Sequence, residues 1–296
     1  MEHHEVIIIG AGLTGVAQLY KLKEHGFDTL VLEAGSGLGG TWYFNRYPGC
    51  RFDSESWSYG YSFSKELLEE WDWTEHFSPQ PENLRYLNYV ADKFDLTPHM
   101  RFDSKVESAR WDEDARTWTV RLVDGAELSC RWLITAVGIL STPVMPRIEG
   151  IERFKGPWWH TYHWPQEPVD LAGKRVAVIG TGATAVQIVP EVAKWAEQLL
   201  VFQRTPSSVG VRGQQETPPD YADMSKPGWQ KERRENFQRL ILNIRQEIDY
   251  VHDGWVAISS MLKPISSKEV ANRLGRRPTR EEIGLLAEVA DYRAMN

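Results

Sequence analysis

Two sets of glycines, each followed at the same interval by a polar or charged residue, are the first features of this sequence whose spacing implies chemistry. Gly10-Ala-Gly-Leu-Thr-Gly15 fits GxGxxG, and Glu33 lies 23 residues after Gly10. In a strand–turn–helix unit, Gly10 permits the tight turn and Gly12 lets a pyrophosphate approach the backbone. Gly15 lets the helix pack on the strand. The helix amino end then faces the phosphates, and Glu33 can accept hydrogen bonds from a ribose diol. Gly180-Thr-Gly-Ala-Thr-Ala185 repeats the turn, with Ala185 as third small residue, but 23 residues beyond Gly180 stands Gln203, followed by Arg204. An acid there would repel a 2′-phosphate, whereas a guanidinium matches it. The first site reads as FAD or NAD and the second as NADP; the bland alternative for Arg204 is a solvated loop arginine. Two such sites in one chain suggest a hydride donor facing a bound acceptor.

The elements that must position these residues are readable from apolar patterning. Glu5–Ile9 and Thr29–Glu33 read as buried strands around a helix running to about Glu24, and Arg175–Ile179 and Leu199–Gln203 do the same around a helix reaching about Glu197. Between these units, Ser78-Pro-Gln-Pro81 starts a helix with Leu84, Leu87, Ala91 and Phe94 on one stripe. Val106–Trp111 and Trp118–Val123 alternate as strands around a polar turn, and Leu133–Val137 reads as a buried strand ending at Gly138. The simplest arrangement is a sheet-bearing insertion that returns to the first sheet, with Pro143, Pro146 and Gly150 marking a hinge. Ser225-Lys-Pro227 opens a long helix with Phe237, Leu240, Ile241, Ile244 and Ile248 as its apolar stripe and Lys231, Arg233 and Arg234 on a solvated face. Thr279-Arg-Glu-Glu282 forms a capping box. The predicted fold is α/β: two Rossmann-like dinucleotide-binding domains with a β-meander insertion and a C-terminal helical segment. The expected domains are 1–145 for the first nucleotide, 146–212 for the second and 213–296 for the helical segment.

Composition excludes several other functions. Of 296 residues, 42% are hydrophobic and 25% charged, which suits a packed core rather than a disordered chain. The 34 Lys and Arg against 41 Asp and Glu give a net charge of −7, which argues against a basic nucleic-acid-binding surface. No apolar run has the ~18–20 residues that span a bilayer, and the first residues lack a signal-peptide pattern. A soluble cytoplasmic protein is the expectation. The only two cysteines, Cys50 and Cys130, form no CxxC, which excludes a disulfide scaffold, a cysteine zinc site and a paired-thiol redox centre. No metal site is expected. Thirteen tryptophans suit extensive apolar burial or an aromatic-lined pocket.

The linker between the glycine turns reads Phe154-Lys-Gly-Pro-Trp-Trp-His-Thr-Tyr-His-Trp-Pro165. Phe154, Gly156, His160, Trp164 and Pro165 fit FxGxxxHxxxWP, and the segment resembles the fingerprint of the type I Baeyer–Villiger monooxygenases, class B flavoproteins. Gly39-Gly-Thr-Trp42, Arg46-Tyr-Pro-Gly49 and Arg51-Phe-Asp53 look like that family's flavin-side loop. The sister class that oxygenates amine nitrogen or sulfide sulfur has a related linker without the Trp-Pro ending, and stands second.

The resemblance implies an FAD enzyme that takes a hydride from NADPH, reacts with O2 and converts ketones to esters or lactones through a C4a-peroxyflavin. It implies that Gly10, Gly12, Gly15, Glu33, Gly40, Thr41, Trp42, Asp53 and Tyr59 hold FAD. It assigns NADPH to Thr181, Gly182, Ala183, Thr184, Gln187, Arg204 and Thr205. Asp53 would act beside flavin and nicotinamide, and His160 would act in catalysis or in coupling the domains. In that family an arginine partner of the aspartate follows the helical insertion, and no residue of this sequence matches it. A chain truncated relative to the family, with little ketone oxygenation of its own, is therefore expected; a non-catalytic nucleotide-binding module is the alternative.

Overall fold

The computed structural model describes residues 1–205, 213–218, 226–242, 244 and 246–251. The capping box at Thr279 lies outside them. The elements are β1 (Glu2–Ile9), α1 (Leu13–Glu24), β2 (Thr29–Leu32), α2 (Thr41–Phe44), α3 (Ser56–Tyr59), α4 (Lys65–Glu70) and α5 (Gln80–Lys93). They continue with β3 (Met100–Arg101), β4 (Val106–Asp112), β5 (Thr117–Leu122), β6 (Glu127–Thr135), β7 (Arg175–Ile179), α6 (Ala183–Val192), β8 (Gln198–Phe202) and α7 (Trp229–Ile241). The chain divides into two compact units: Met1–Cys50 with Gln80–Asp170, and Arg51–Pro79 with Leu171–Asn296. Asp53 and Tyr59 therefore belong to the second unit.

The first unit is built on one sheet in the order β3-β2-β1-β6-β5-β4. β1 pairs in parallel with β2 and β6, and β2 with β3. β4 and β5 join antiparallel at the other edge. All four residues of β2 and Val6, Ile7 and Ile8 of β1 are buried, as expected for parallel strands covered on both faces. The predicted insertion does return to the first sheet, through one strand longer than its apolar run suggested. β6 begins at Glu127: Glu127–Cys130 pair with β5, and Leu128–Thr135 run alongside β1. Its first half alternates, with Leu128 and Cys130 buried beside Val120, Leu122, Ile7 and Leu30, so only its second half stands out as an apolar run.

The β1 end of this sheet carries a charged clasp. His4 has Nε2 3.0 Å from Glu2 and Nδ1 3.1 Å from Asp28, and Arg101 donates to Glu2 at 2.5 Å. The Arg101 hydrogen bond, joined by His4, holds the Glu2 carboxyl down at about 2. Burial opposes charge on His4, but Glu2 and Asp28 together raise its pKa above the ordinary value. The contribution of Glu2 is thus present above its ordinary value of 4.5 and fades as pH falls towards 2. That of His4 is complete below 6.5 and fades as pH rises through its raised value. In His4→Gln, thermal unfolding scans should show a deficit of about 1 kcal/mol or less below pH ~6 that vanishes in alkaline buffer.

In the second unit β7 and β8 form a parallel pair joined through α6, the expected strand–turn–helix–strand repeat. α7 departs from its predicted pattern. It ends at Ile241, after which Asn236 accepts from the Tyr250 backbone N–H at 3.1 Å and donates to the Ile248 carbonyl at 2.7 Å, folding the chain back on the helix. Ile244 and Ile248 are consequently exposed. Arg233, expected on the solvated face, is buried, because Glu55 meets it inside the unit. Among the described residues no helix is long and apolar enough to cross a membrane.

Candidate nucleotide sites

The first glycine turn is enforced by sterics. Gly10 has φ +103°, and a Cβ on Gly15 would lie 1.9 Å from the Gly10 carbonyl oxygen, so only hydrogen fits where α1 meets the turn. Gly12 differs: a Cβ there would meet Gly40 Cα at 3.4 Å, an ordinary contact. The protein itself does not demand glycine at this position. Gly40 in turn sits against Gly12, and the Gly39 N–H donates to the Ala11 carbonyl at 2.9 Å. Two glycine backbones thus meet at the amino end of α1, where no side chain caps the N-cap residue Gly12. Such a helix end favours an anion.

Glu33 lies just past β2 and is buried. Its Oε2 accepts the Ala11 N–H at 2.7 Å and its Oε1 accepts the Gly35 N–H at 2.8 Å. The carboxylate is therefore fixed against the glycine turn, with acceptor capacity remaining on each oxygen. Of the flanking loop, Thr41 is exposed and Trp42 is buried. Gln80 donates to the Trp42 carbonyl, tying this loop to α5.

The second turn repeats this geometry with different chemistry. Gln203 follows β8 as Glu33 follows β2, and its amide donates to Thr181 Oγ1 at 3.2 Å. Ala11 and Thr181 hold equivalent places in the two turns, so a neutral amide stands where the first unit has a buried carboxylate. Arg204 and Thr205 are exposed immediately beyond it, and Gly182 caps α6 without a side-chain bond. Gly182 and Ala183 are exposed, and Thr184 is half-buried. Ala185, on the buried side of α6, is accommodated where the first turn tolerates only glycine.

Asp53 is held elsewhere in the second unit. Its Oδ1 accepts from Gln187 Nε2 at 2.7 Å. Tyr59 packs on Phe52, ring centroids 4.0 Å apart. Gln187, the fifth residue of α6, is buried and bonded to this segment.

His160 Nδ1 accepts the Tyr162 backbone N–H at 3.2 Å, capping the 3₁₀ turn Thr161–His163. Burial, with the nearby charge of His163, lowers its pKa, favouring the neutral ring that this acceptor role requires. Tyr162 is a residue the sequence reading passed over. It stacks on Phe44 at 5.2 Å, and burial, followed by the charge of Glu33, raises its phenol pKa. Its position inside the linker fingerprint was the available signal.

A model of the flavin-binding monooxygenase-like family matches residues 3–227. The chain belongs to that family. Within it, the chain is 49% identical over 209 residues to 2-oxo-Delta(3)-4,5,5-trimethylcyclopentenylacetyl-CoA monooxygenase of Pseudomonas putida, covering 69% of this chain and 38% of the relative. It is 43% identical over 203 residues to cyclopentanone 1,2-monooxygenase of Comamonas sp. (strain NCIMB 9872), covering 69% of this chain and 37% of the relative. The crystal structure of OTEMO with FAD and NADP aligns with a TM-score of 0.72 at 43% identity, over 80% of this chain and 45% of that one. Closed cyclohexanone monooxygenase aligns at 0.71 and 36%, over 82% and 44%. These matches bear out the Baeyer–Villiger resemblance and the α/β fold class. The chain spans 37% to 50% of the curated relatives it matches.

Proposed function

We propose that the protein holds FAD in its first unit and NADPH in its second, and is an NADPH- and O2-dependent monooxygenase converting ketones to esters or lactones. The observation that carries this reading is the contrast between the two turns: buried Glu33 against one, neutral Gln203 followed by exposed Arg204 against the other. The first suits a ribose diol and the second a 2′-phosphate. Ketone as the substrate class is supported by the Trp164-Pro165 ending of the linker and by ketone-named relatives, cyclopentanone 1,2-monooxygenase and acetone monooxygenase. The overall reaction consumes ketone, O2, NADPH and a proton, and yields ester or lactone, NADP⁺ and water.

When bound, the flavin supplies the oxygen-transfer chemistry. The chain binds and orients. Gly10, Gly12, Gly15 and Gly40 leave room for the FAD pyrophosphate, Glu33 takes its ribose, and Thr41 and Trp42 complete the flavin side of the first unit; Tyr59, which the resemblance also gave to FAD, lies in the second unit. Thr181, Gly182, Ala183 and Thr184 receive the NADPH pyrophosphate, and Arg204 with Thr205 receives its 2′-phosphate. Asp53 is the acid that the resemblance assigns to the reaction, held in the second unit by the Gln187 amide. His160 acts by fixing the linker turn, not by transferring a proton.

The coenzyme reading has a direct test. Arg204→Ala should remove about 1.5–3 kcal/mol of phosphate binding, lowering NADPH affinity roughly 10–150-fold while leaving NADH affinity near its starting value. Titration calorimetry with both coenzymes measures it, and an unchanged NADPH/NADH ratio would remove Arg204 from the site. For the reaction, the gene product carrying these residues is incubated with NADPH, FAD and a panel of cyclic ketones, amines and sulfides. Ester or lactone supports the proposal. N- or S-oxide without ester assigns the sister class instead.

A further inference from the structure

One buried carboxamide in the second unit organises the segment that carries Asp53. Gln187, on the buried side of α6, accepts the Arg51 backbone N–H on Oε1 at 3.1 Å. Its Nε2 donates to the Arg51 carbonyl at 3.1 Å and to Asp53 Oδ1 at 2.7 Å. A carboxamide offers one acceptor oxygen and two amide hydrogens, and all three serve this segment. The pair on Arg51 reproduces the two bonds that a neighbouring strand would make to one residue. The third, at 2.7 Å to a carboxylate, has the short length of a charge-assisted bond.

The geometry points to Gln187 as a positioning residue for Asp53, an amide clamp that fixes the Arg51 backbone and the Asp53 carboxylate from the helix of the second nucleotide turn. This is a role beside the NADPH contact that the family resemblance implied for Gln187, and it rests on the reading of Asp53 and the second turn given above. Only an amide suits the place. Leucine has the volume but would leave the Arg51 N–H and carbonyl without these partners, and glutamate would bring a second carboxylate against Asp53. The other charges of the network are engaged with one another. The Arg51 guanidinium donates to Glu75 at 2.8 Å and to the Phe77 carbonyl at 3.3 Å. Glu55 accepts from Arg233 at 2.8 Å and from the Ser58 N–H at 2.8 Å. The clamp ties Asp53 to α6, the helix whose amino end is read as the phosphate site. A coenzyme docked on α6 is thereby registered against the acid.

The clamp is tested by donor–acceptor exchange. Gln187→Glu, Asp53→Asn and the double variant are unfolded thermally in about pH 5 and about pH 8 buffers, with NADP⁺ binding measured in parallel. In Gln187→Glu the facing carboxyl groups share a proton in acid and repel in base. The melting temperature should therefore fall by about 5 °C at the higher pH and by less than half of that at the lower. Adding Asp53→Asn should restore at least half of the loss, because the introduced carboxamide can donate to the introduced carboxylate. Should Gln187→Glu fail to fold, recovery of folding in the double variant reads the same coupling. An equal loss at both pH values without rescue, or a double variant as unfolded as the single one, overturns the clamp. A pH-dependent loss with rescue in a chain that binds no NADP⁺ upholds the clamp and overturns the coenzyme reading.

Discussion

Arg233→Met is expected to destabilise the second unit by about 3–5 kcal/mol, the usual cost of leaving one member of a buried ion pair without its partner. The Glu55 side chain is fully buried and that of Arg233 is 10% exposed, with Nε 2.8 Å from Oε1. The other Glu55 oxygen caps α3 through the Ser58 N–H, so the carboxylate cannot turn outward without giving up that helix end. The same two helices, α3 and α7, also meet through Trp57 and Trp229, whose ring centroids lie 5.2 Å apart. Urea unfolding followed by tryptophan fluorescence measures the loss. Glu55→Gln added to Arg233→Met should recover much of it, because the stranded charge is then removed. A single variant within about 1 kcal/mol of the parent would show that the pair is solvated in solution.

Gly12→Val should weaken FAD binding roughly a hundredfold, taking an overpacking cost of about 3 kcal/mol, while the fold survives. The two expectations have separate causes. Within the protein, a Cβ at Gly12 meets only Gly40, at 3.4 Å and beyond. If the first turn holds FAD as proposed, the same side chain would stand where the pyrophosphate approaches. Gly15→Ala is the contrasting variant: its Cβ would lie 1.9 Å from the Gly10 carbonyl oxygen, so the turn itself is disrupted. Equilibrium dialysis against FAD, paired with a melting curve, separates them. A Gly12→Val protein with normal flavin affinity would show that the first turn does not hold the cofactor.

The glycine turns, their strands and the acid-to-arginine contrast were legible because each is local. A turn needing φ +103° at Gly10, or admitting no Cβ at Gly15, leaves its mark as residue type at fixed spacing. Residues that act through distant partners were not legible. Arg233 was placed on a solvated face because three basic residues in a short run usually face water, and its partner lies 178 positions away. Gln187 was assigned to coenzyme by family resemblance, and its bonds to Arg51 and Asp53, 136 and 134 positions away, leave no local pattern in the sequence. The long β6 was half hidden for a simpler reason. Its first residues alternate between core and solvent, and the continuous apolar run begins only at its second half.

If one unit takes flavin and the other takes the coenzyme that reduces it, anaerobic titration of the FAD-loaded protein with NADPH tests both halves at once. The expected result is a yellow protein with one FAD per chain, whose visible flavin absorption is bleached by NADPH much faster than by NADH. In Arg204→Ala that difference should disappear. A protein that retains no FAD, or one bleached equally fast by both coenzymes, would contradict this assignment of the two sites.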